Sequence, residues 1–474
     1  MIQQRDYKSF LESKRISAPA VGFDVHPSEL NPLLKPWQRV IVKWALHRGR
    51  AALFEDCGLG KTFQQLEWAR QVYRRSLSDG GTGEVLLLCP IAVAEQTTRE
   101  AARFGISSPV RLIEENSRVI TGINICNYEK LHKLDCRRFT GVVLDESSIL
   151  KNYTGKTKRQ LCEQFSSTPY KLACTATPAP NDQMEIGNHS EFLGVMNSNE
   201  MLARWFINDS MKSGGYRVSK YAEQDFWQWV CSWAVAISKP SDIGFSDDGY
   251  LLPSLNIVEH VIESSPPPGY LFSAGRSISA TKVHSEKRAA LAGKSAIVAD
   301  LVRSEPGEPW VIWVDTDYEA DAIHRLLPEA VEIRGSQSPE QKRAGLCGFS
   351  DGSIRWIITK PEIGGLGMNW QHCRRTTYFA SFSFENWYQS IRRLWRFGQQ
   401  SSVDVHLVMG NNEESIADTL RRKNRDYLQM SGEMSQRMKS GMQGSLFGIR
   451  ELKRDAAKIT TVPSWIQKKE ECFT

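Results

Sequence analysis

RAALFEDCGLGKT, residues 50–62, runs from a short apolar stretch through two glycines to a lysine and a threonine. A helical stripe follows, with Leu66, Ala69, Val72 and Tyr73 spaced to share one face. The Gly58-x-Gly60-Lys61-Thr62 core has the parts a phosphate-binding loop requires. Glycines let the backbone approach an anion, and the helix start aims its free N–H groups at it. Lys61 suits the β- and γ-phosphates, and Thr62 suits a magnesium ion. Glu55 stands where the usual pattern has its first glycine, so the loop by itself could also be a glycine-rich turn.

The surroundings decide for the phosphate loop. β-rich runs at 84–90, 123–128, 141–146 and 170–177 alternate with helical stretches such as IAVAEQTTREAARF (91–104). Strand–helix alternation implies an α/β fold, a parallel sheet covered by helices. GVVLDESS sets Asp145 and Glu146 at the end of an apolar strand, where ligands gather in open sheets. One carboxylate there can share the magnesium with Thr62, and the other can orient an attacking water. Phosphate loop and acid pair, in this order, make nucleotide hydrolysis the leading reading.

A second alternating series occupies 310–315, 330–335, 354–360, 376–381 and 403–408. The expected division is a first lobe at 1–195, an inserted mainly helical segment and linker at 196–269, a second lobe at 270–430, and an irregular tail at 431–474. In the insert, Phe226, Val230, Trp233 and Ile237 make one helical stripe with Trp227 and Trp229 off it, which reads as core rather than as a base-stacking platform. On a helix, YQSIRRLWRFGQQ (388–400) sorts Gln389, Arg392, Arg393 and Arg396 to one side. Trp387, Ile391, Leu394 and Trp395 fall on the other, so burial of the apolar side would fix the arginines toward something negative.

Composition narrows the class. With 41% hydrophobic and 24% charged residues the chain is neither fibrous nor disordered. No C-x-x-C pair occurs among the ten cysteines, which gives no support to a zinc ribbon or a redox motif. The start lacks a signal-like apolar stretch and no run is long enough to span a bilayer. A cytoplasmic monomer is expected. A net charge of +6 is compatible with an acidic partner without requiring one.

At this point the chain resembles a superfamily II helicase-type ATPase, and most of all the Swi/Snf-type DNA translocases in a minimal form of bacterial or phage character. LLKPWQ resembles the opening motif, which implies adenine recognition by Gln38. EDCGLGKT is similar to the family's own loop, which tolerates an acidic residue in place of the first glycine. LLLCPIAVAEQ, DESSILKN and KLACTATPAPNDQMEIGNHSEFL resemble the next three motifs, with Ser147 and Ser148 where Ala-His is common. ITKPEIGGLGMNW is similar to the segment that senses both ATP and DNA, with Gly365, Gly367 and Asn369 in register. QSIRRLWRFGQQ matches at Gln389, Arg393, Arg396, Gly398 and Gln399.

The resemblance implies two RecA-like lobes closing on ATP and Mg²⁺. Lys61, Asp145, Glu146, Arg393 and Arg396 would be catalytic, the two arginines acting as fingers from the second lobe. Gln38, Gly58, Gly60, Lys61, Thr62, Gly365 and Gln389 would hold the nucleotide, and Thr62 with Asp145 the metal. Thr177, Asn181 and Asn369 would touch nucleic acid, expected to be double-stranded DNA. Arg374, Arg375 and the run RRKNR (421–425) could track phosphates or be solvated faces. Two alternatives stay open: a strand-separating helicase on DNA or RNA, and an ATP-gated clamp or recruitment subunit.

Overall fold

The computed structural model describes residues 17–152, 155–209, 215–263, 287–364 and 368–445. The SSPPPGY linker, Gly365, Gly367 and the chain after 445 lie outside the described residues. Two all-parallel sheets organise the rest, as the alternating pattern requires. The first contains β1 (Arg50–Glu55), β2 (Glu84–Cys89), β3 (Val110–Leu112), β4 (Gly122–Asn127), β5 (Gly141–Asp145) and β6 (Tyr170–Cys174). A two-stranded antiparallel hairpin, β7 (Phe206–Asp209) and β8 (Gly215–Val218), stands apart from it. β9 (Ala234–Ile237) then completes the first sheet, in the order β3-β4-β2-β5-β6-β1-β9.

β2, β4 and β5 are buried along their whole length, as central strands of a parallel sheet covered on both faces are. Register sets the site. Cys174 of β6 pairs with Asp145 on one side and with Leu53 on the other. The phosphate loop, the acid pair and the Thr175–Pro178 loop therefore leave the sheet in one row at its carboxyl edge.

The second sheet takes the order β10-β15-β14-β11-β13-β12. Its strands are β10 (Leu255–Ile262), β11 (Trp310–Trp313), β12 (Val331–Ile333), β13 (Trp356–Thr359), β14 (Arg375–Phe379) and β15 (Val403–Gly410). The molecule is thus two RecA-like lobes.

Three boundary expectations change. The segment 196–269 is not a separate helical insert: β9 pairs with β1 and belongs to the first lobe, while β10 pairs with β15 over eight residues and opens the second. Within it, the helix Glu223–Cys231 buries Phe226, Trp227, Trp229 and Val230 and exposes Gln224, Asp225 and Gln228, so no aromatic face is left for stacking bases. Trp205 and Trp229 stack at 4.7 Å, and Phe226, Trp227 and Trp233 complete the cluster.

The tail is helical as far as it is described. The helix Glu414–Ser445 leaves the second lobe and lies back across the first. Its Tyr427 donates to the Ala176 carbonyl at 2.8 Å and its Ser435 to the Ala236 carbonyl at 3.4 Å. No described helix is long and apolar enough to cross a membrane.

Candidate active site between the lobes

The phosphate loop forms as its glycines allow. Gly58 and Gly60 have φ of +88° and +78°, the region closed to most side chains. A Cβ on Gly60 would sit 2.6 Å from the Gln38 amide nitrogen, and one on Gly58 3.2 Å from Phe397 of the other lobe. Gln38 is buried: its Oε1 accepts from the Lys35 N–H at 3.0 Å, and its Nε2 donates to the Leu59 carbonyl at 2.8 Å. The residue expected to read adenine thus also braces the loop from outside.

Lys61 opens the helix Lys61–Ser78 and turns its ammonium back onto the carbonyls of Glu55 and Asp56, at 2.7 and 3.1 Å. Thr62 lies half-buried beside it. One turn further, two buried glutamines tie the helix to the acids. Gln64 donates to Glu55 and Gln65 to Asp145, each at 2.7 Å. Burial pushes the Glu55 carboxyl up to about 7, with Lys61 opposing. Neither glutamine was picked out from the sequence, although two polar residues amid the apolar stripe were the available signal.

Asp145 and Glu146 follow β5 directly. Among the described residues Glu146 is the single non-glycine in the left-handed region, at φ 53°. Such a conformation costs about 1–3 kcal/mol and persists where surrounding structure enforces it. Burial, then the neighbouring Asp145, pushes the Glu146 carboxyl up to about 7, against the pull of Lys61 and Arg393. Burial raises Asp145 too, while Gln65, Lys61 and Arg393 act in the other direction.

From the second lobe comes the helix Phe384–Leu394, which buries Gln389, Arg392 and Arg393. It ends at Leu394, two residues before Arg396, so Arg396 is presented by the turn after the helix rather than by its face. Arg393 and Arg396 both donate to the Met368 carbonyl, at 3.2 and 3.4 Å. Arg393 lies within electrostatic reach of Asp145 and Glu146, and Arg396 within reach of Cys57. Cys57 therefore has a basic group across the seam. Burial, then the adjoining Arg393, lowers Arg396.

Arg392 is buried and reaches beyond its own lobe. It pairs with Asp56 of the phosphate loop, which also accepts from the Tyr388 hydroxyl. A second seam contact joins Lys151 to Glu385.

His189 is a further residue that the motifs did not disclose. Its Nε2 lies 3.0 Å from the Pro178 carbonyl, which can only accept, so Nε2 carries the proton. Nδ1 must then accept from the Ser147 hydroxyl, 3.4 Å away. Burial pushes the imidazole down to about 4, which keeps it neutral. A histidine from a neighbouring helix thus links the acid pair to the Thr175–Pro178 loop, where the sequence shows serines in place of Ala-His.

The expected nucleic-acid residues divide. Asn181 and Asn369 are exposed, and Asn181 rims a cleft with Lys151, Asn152, Glu185 and Asn188. Thr177 departs from the expectation, since its loop turns inward. The Thr177 N–H bonds the Thr175 hydroxyl at 3.1 Å and its side chain is buried. Arg374 pairs with Glu308, Arg375 with Glu305 and Asp404, and Arg421 with Glu259 and Asp418. Those arginines have carboxylate partners within the chain.

Residues 37–223 match the family model of the SNF2-related domain. The first lobe is thus similar to SNF2-related domains over most of its length. The resemblance read from the motifs is thereby borne out, on a stretch reaching from Gln38 to the start of the buried tryptophan helix.

Two curated relatives are also similar over part of the chain. One is the SWI/SNF-related matrix-associated actin-dependent regulator of chromatin subfamily A-like protein 1 of Xenopus tropicalis. It is 29% identical over 182 residues, covering 36% of this chain and 18% of that protein. The other is the protein CHROMATIN REMODELING 19 of Arabidopsis thaliana, 25% identical over 198 residues, covering 35% and 26%. The chain thus covers about a quarter or less of either relative. A solved structure, the Sulfolobus solfataricus SWI2/SNF2 ATPase core in complex with dsDNA, is 16% identical. It overlaps 90% of this chain and 99% of its own with a TM-score of 0.41.

Proposed function

We propose that the chain is an ATP-driven motor that moves along double-stranded DNA, hydrolysing ATP between its two lobes. The observation that carries this reading is convergence. Lys61, Asp145 and Glu146 from one lobe and Arg393 from the other act on one another electrostatically around a single seam. The set also has unfilled valences where a nucleotide would lie. Glu146 Oε2 and Arg396 Nε are buried without a hydrogen-bond partner among the described residues, which is costly unless something supplies one.

In this reading Lys61 releases the loop carbonyls to hold the β- and γ-phosphates. Thr62 and Asp145 fit a magnesium ion, which supplies charge neutralisation to the phosphates when bound. Glu146 orients the water for attack on the γ-phosphorus, and Arg393 with Arg396 stabilises charge on the transferring group. Gln65 holds Asp145 in place. Loss of the γ-phosphate removes what the arginines grip, so hydrolysis weakens closure and lets a strand held by both lobes advance.

ATP turnover measured against single- and double-stranded DNA and RNA tests the reading directly. Duplex DNA should raise turnover well above any single strand. Equal stimulation by all four, or none, would remove it. The hairpin β7–β8, with Ile207 exposed, favours a strand-separating helicase as the second reading. That enzyme would release one strand of a partial duplex, whereas the proposed motor would not.

A further inference from the structure

The phosphate loop carries an acid that the hydrolytic chemistry does not use. Asp56 follows β1 and precedes Gly58, and its own loop takes only part of its carboxylate, at the Cys57 N–H, 2.6 Å away. The other donors come from the second lobe. Arg392 Nε donates to Oδ1 at 3.0 Å, its Nη2 pairs with Oδ2, and the Tyr388 hydroxyl donates to Oδ1.

The pocket around Arg392 is built for this contact. Its side chain is 3% exposed and that of Asp56 14%. The guanidinium lies over the rings of Trp395, Tyr388 and Phe397, at 4.8, 5.6 and 6.0 Å, and Nη1 donates to the Trp395 carbonyl at 3.1 Å. Tyr427 joins from the long C-terminal helix. Its single hydroxyl proton faces both the Ala176 carbonyl, at 2.8 Å, and the Tyr388 oxygen, at 3.2 Å. Tyr388, whose proton goes to Asp56, can accept it.

We propose that Asp56 is a handle by which the second lobe grips the phosphate loop, with Arg392, Tyr388 and Tyr427 as positioning residues for the ATP site. The proposal rests on the ATP reading for its purpose. Two consequences follow from covalent neighbours. The Asp56 carbonyl accepts from Lys61, so fixing Asp56 fixes the support of the phosphate-binding ammonium. Arg392 adjoins Arg393, so anchoring the first sets the register of the second against Asp145 and Glu146. The grip needs no nucleotide. It aligns loop and finger beforehand, so the reacting geometry is already set once a nucleotide is bound.

Hydrogen exchange of the nucleotide-free full-length chain, followed on peptides spanning 55–62, tests the grip. Tyr388→Phe removes one hydroxyl and keeps the packing; Arg392→Gln removes the charge. Each should speed exchange of the loop amides roughly tenfold or more, the equilibrium factor that a hydrogen bond to a charged group carries. The exchanged pair Asp56→Arg with Arg392→Asp should recover part of the protection. In DNA-stimulated turnover, Arg392→Gln should lower kcat at least about tenfold while KM for ATP stays within about threefold, the pattern of a group that acts after binding.

Loop exchange at the parent rate in both single variants overturns the proposal, as does parent kcat in Arg392→Gln. Failure of the ATP reading shows separately, as undiminished binding of a fluorescent ATP analogue by Lys61→Ala. The nucleotide-free exchange result stands independently of it.

Discussion

A carboxylate that orients water has to be ionised, and Glu146 starts from a place that opposes it. Burial and Asp145 raise it from 4.5 to about 7. The acid limb of kcat/KM for ATP should therefore lie near pH 7, with activity climbing between about pH 6 and 8. A limb near 4.5 would show that Glu146 is not the group. Stability runs the opposite way. Between 4.5 and about 7 the folded chain keeps a proton that the unfolded chain has released, so stability falls as pH rises through that window and then levels. Glu146→Gln, which never ionises, should thus melt higher than the parent at pH 8 and close to it at pH 5 in nucleotide-free thermal denaturation. It should bind ATP and hardly turn it over. Arg396→Ala should likewise keep ATP binding while turnover drops by roughly 10³-fold or more, the usual scale of an arginine finger. Parent turnover in single-cycle assays would remove it from that role.

At the scale of elements, the short helix Glu223–Cys231 shows what the sequence conveyed and what it withheld. Its aromatic density signalled burial, and burial is found. Its periodicity pointed to one buried face, yet Trp227 and Trp229 are buried too, because β9 carries the segment back into the first sheet. Sequence spacing reports the face of an isolated helix; it does not report the walls that the rest of the fold closes around it. Trp227→Ala should cost about 3–5 kcal/mol, the range for emptying a large buried aromatic, read from denaturant unfolding. A loss below about 1 kcal/mol would put Trp227 on a surface instead. The long C-terminal helix was illegible for a related reason. Its polar, methionine- and glycine-punctuated stretch after 431 is a weak helix former by itself, and it is held by contacts to the first lobe such as Ser435 with the Ala236 carbonyl.

Across the whole molecule, the elements most legible were those whose chemistry is local. A glycine loop after a strand and two acids ending another are complete within eight residues, and both lie where the strand order places them. The seam was legible in part. Arg393 could be assigned through a motif, whereas Arg392 acquired its role only when Asp56, more than three hundred positions earlier, was brought against it. That seam also distinguishes the two motor readings. Its contacts join lobe to lobe through Asp56, Lys151 and Tyr427, and a cycle of making and breaking them changes the distance between two grips. In the proposed function, such a change would advance the protein along a duplex without requiring the strands to part. In the presence of ATP the chain should therefore displace a triplex-forming third strand from duplex DNA and leave the duplex paired. Glu146→Gln should bind the same DNA and displace nothing, since the closed state would not reset. Release of a duplex strand at the rate of triplex displacement would instead give β7–β8 the part of a wedge, and the proposal of translocation without unwinding would fall.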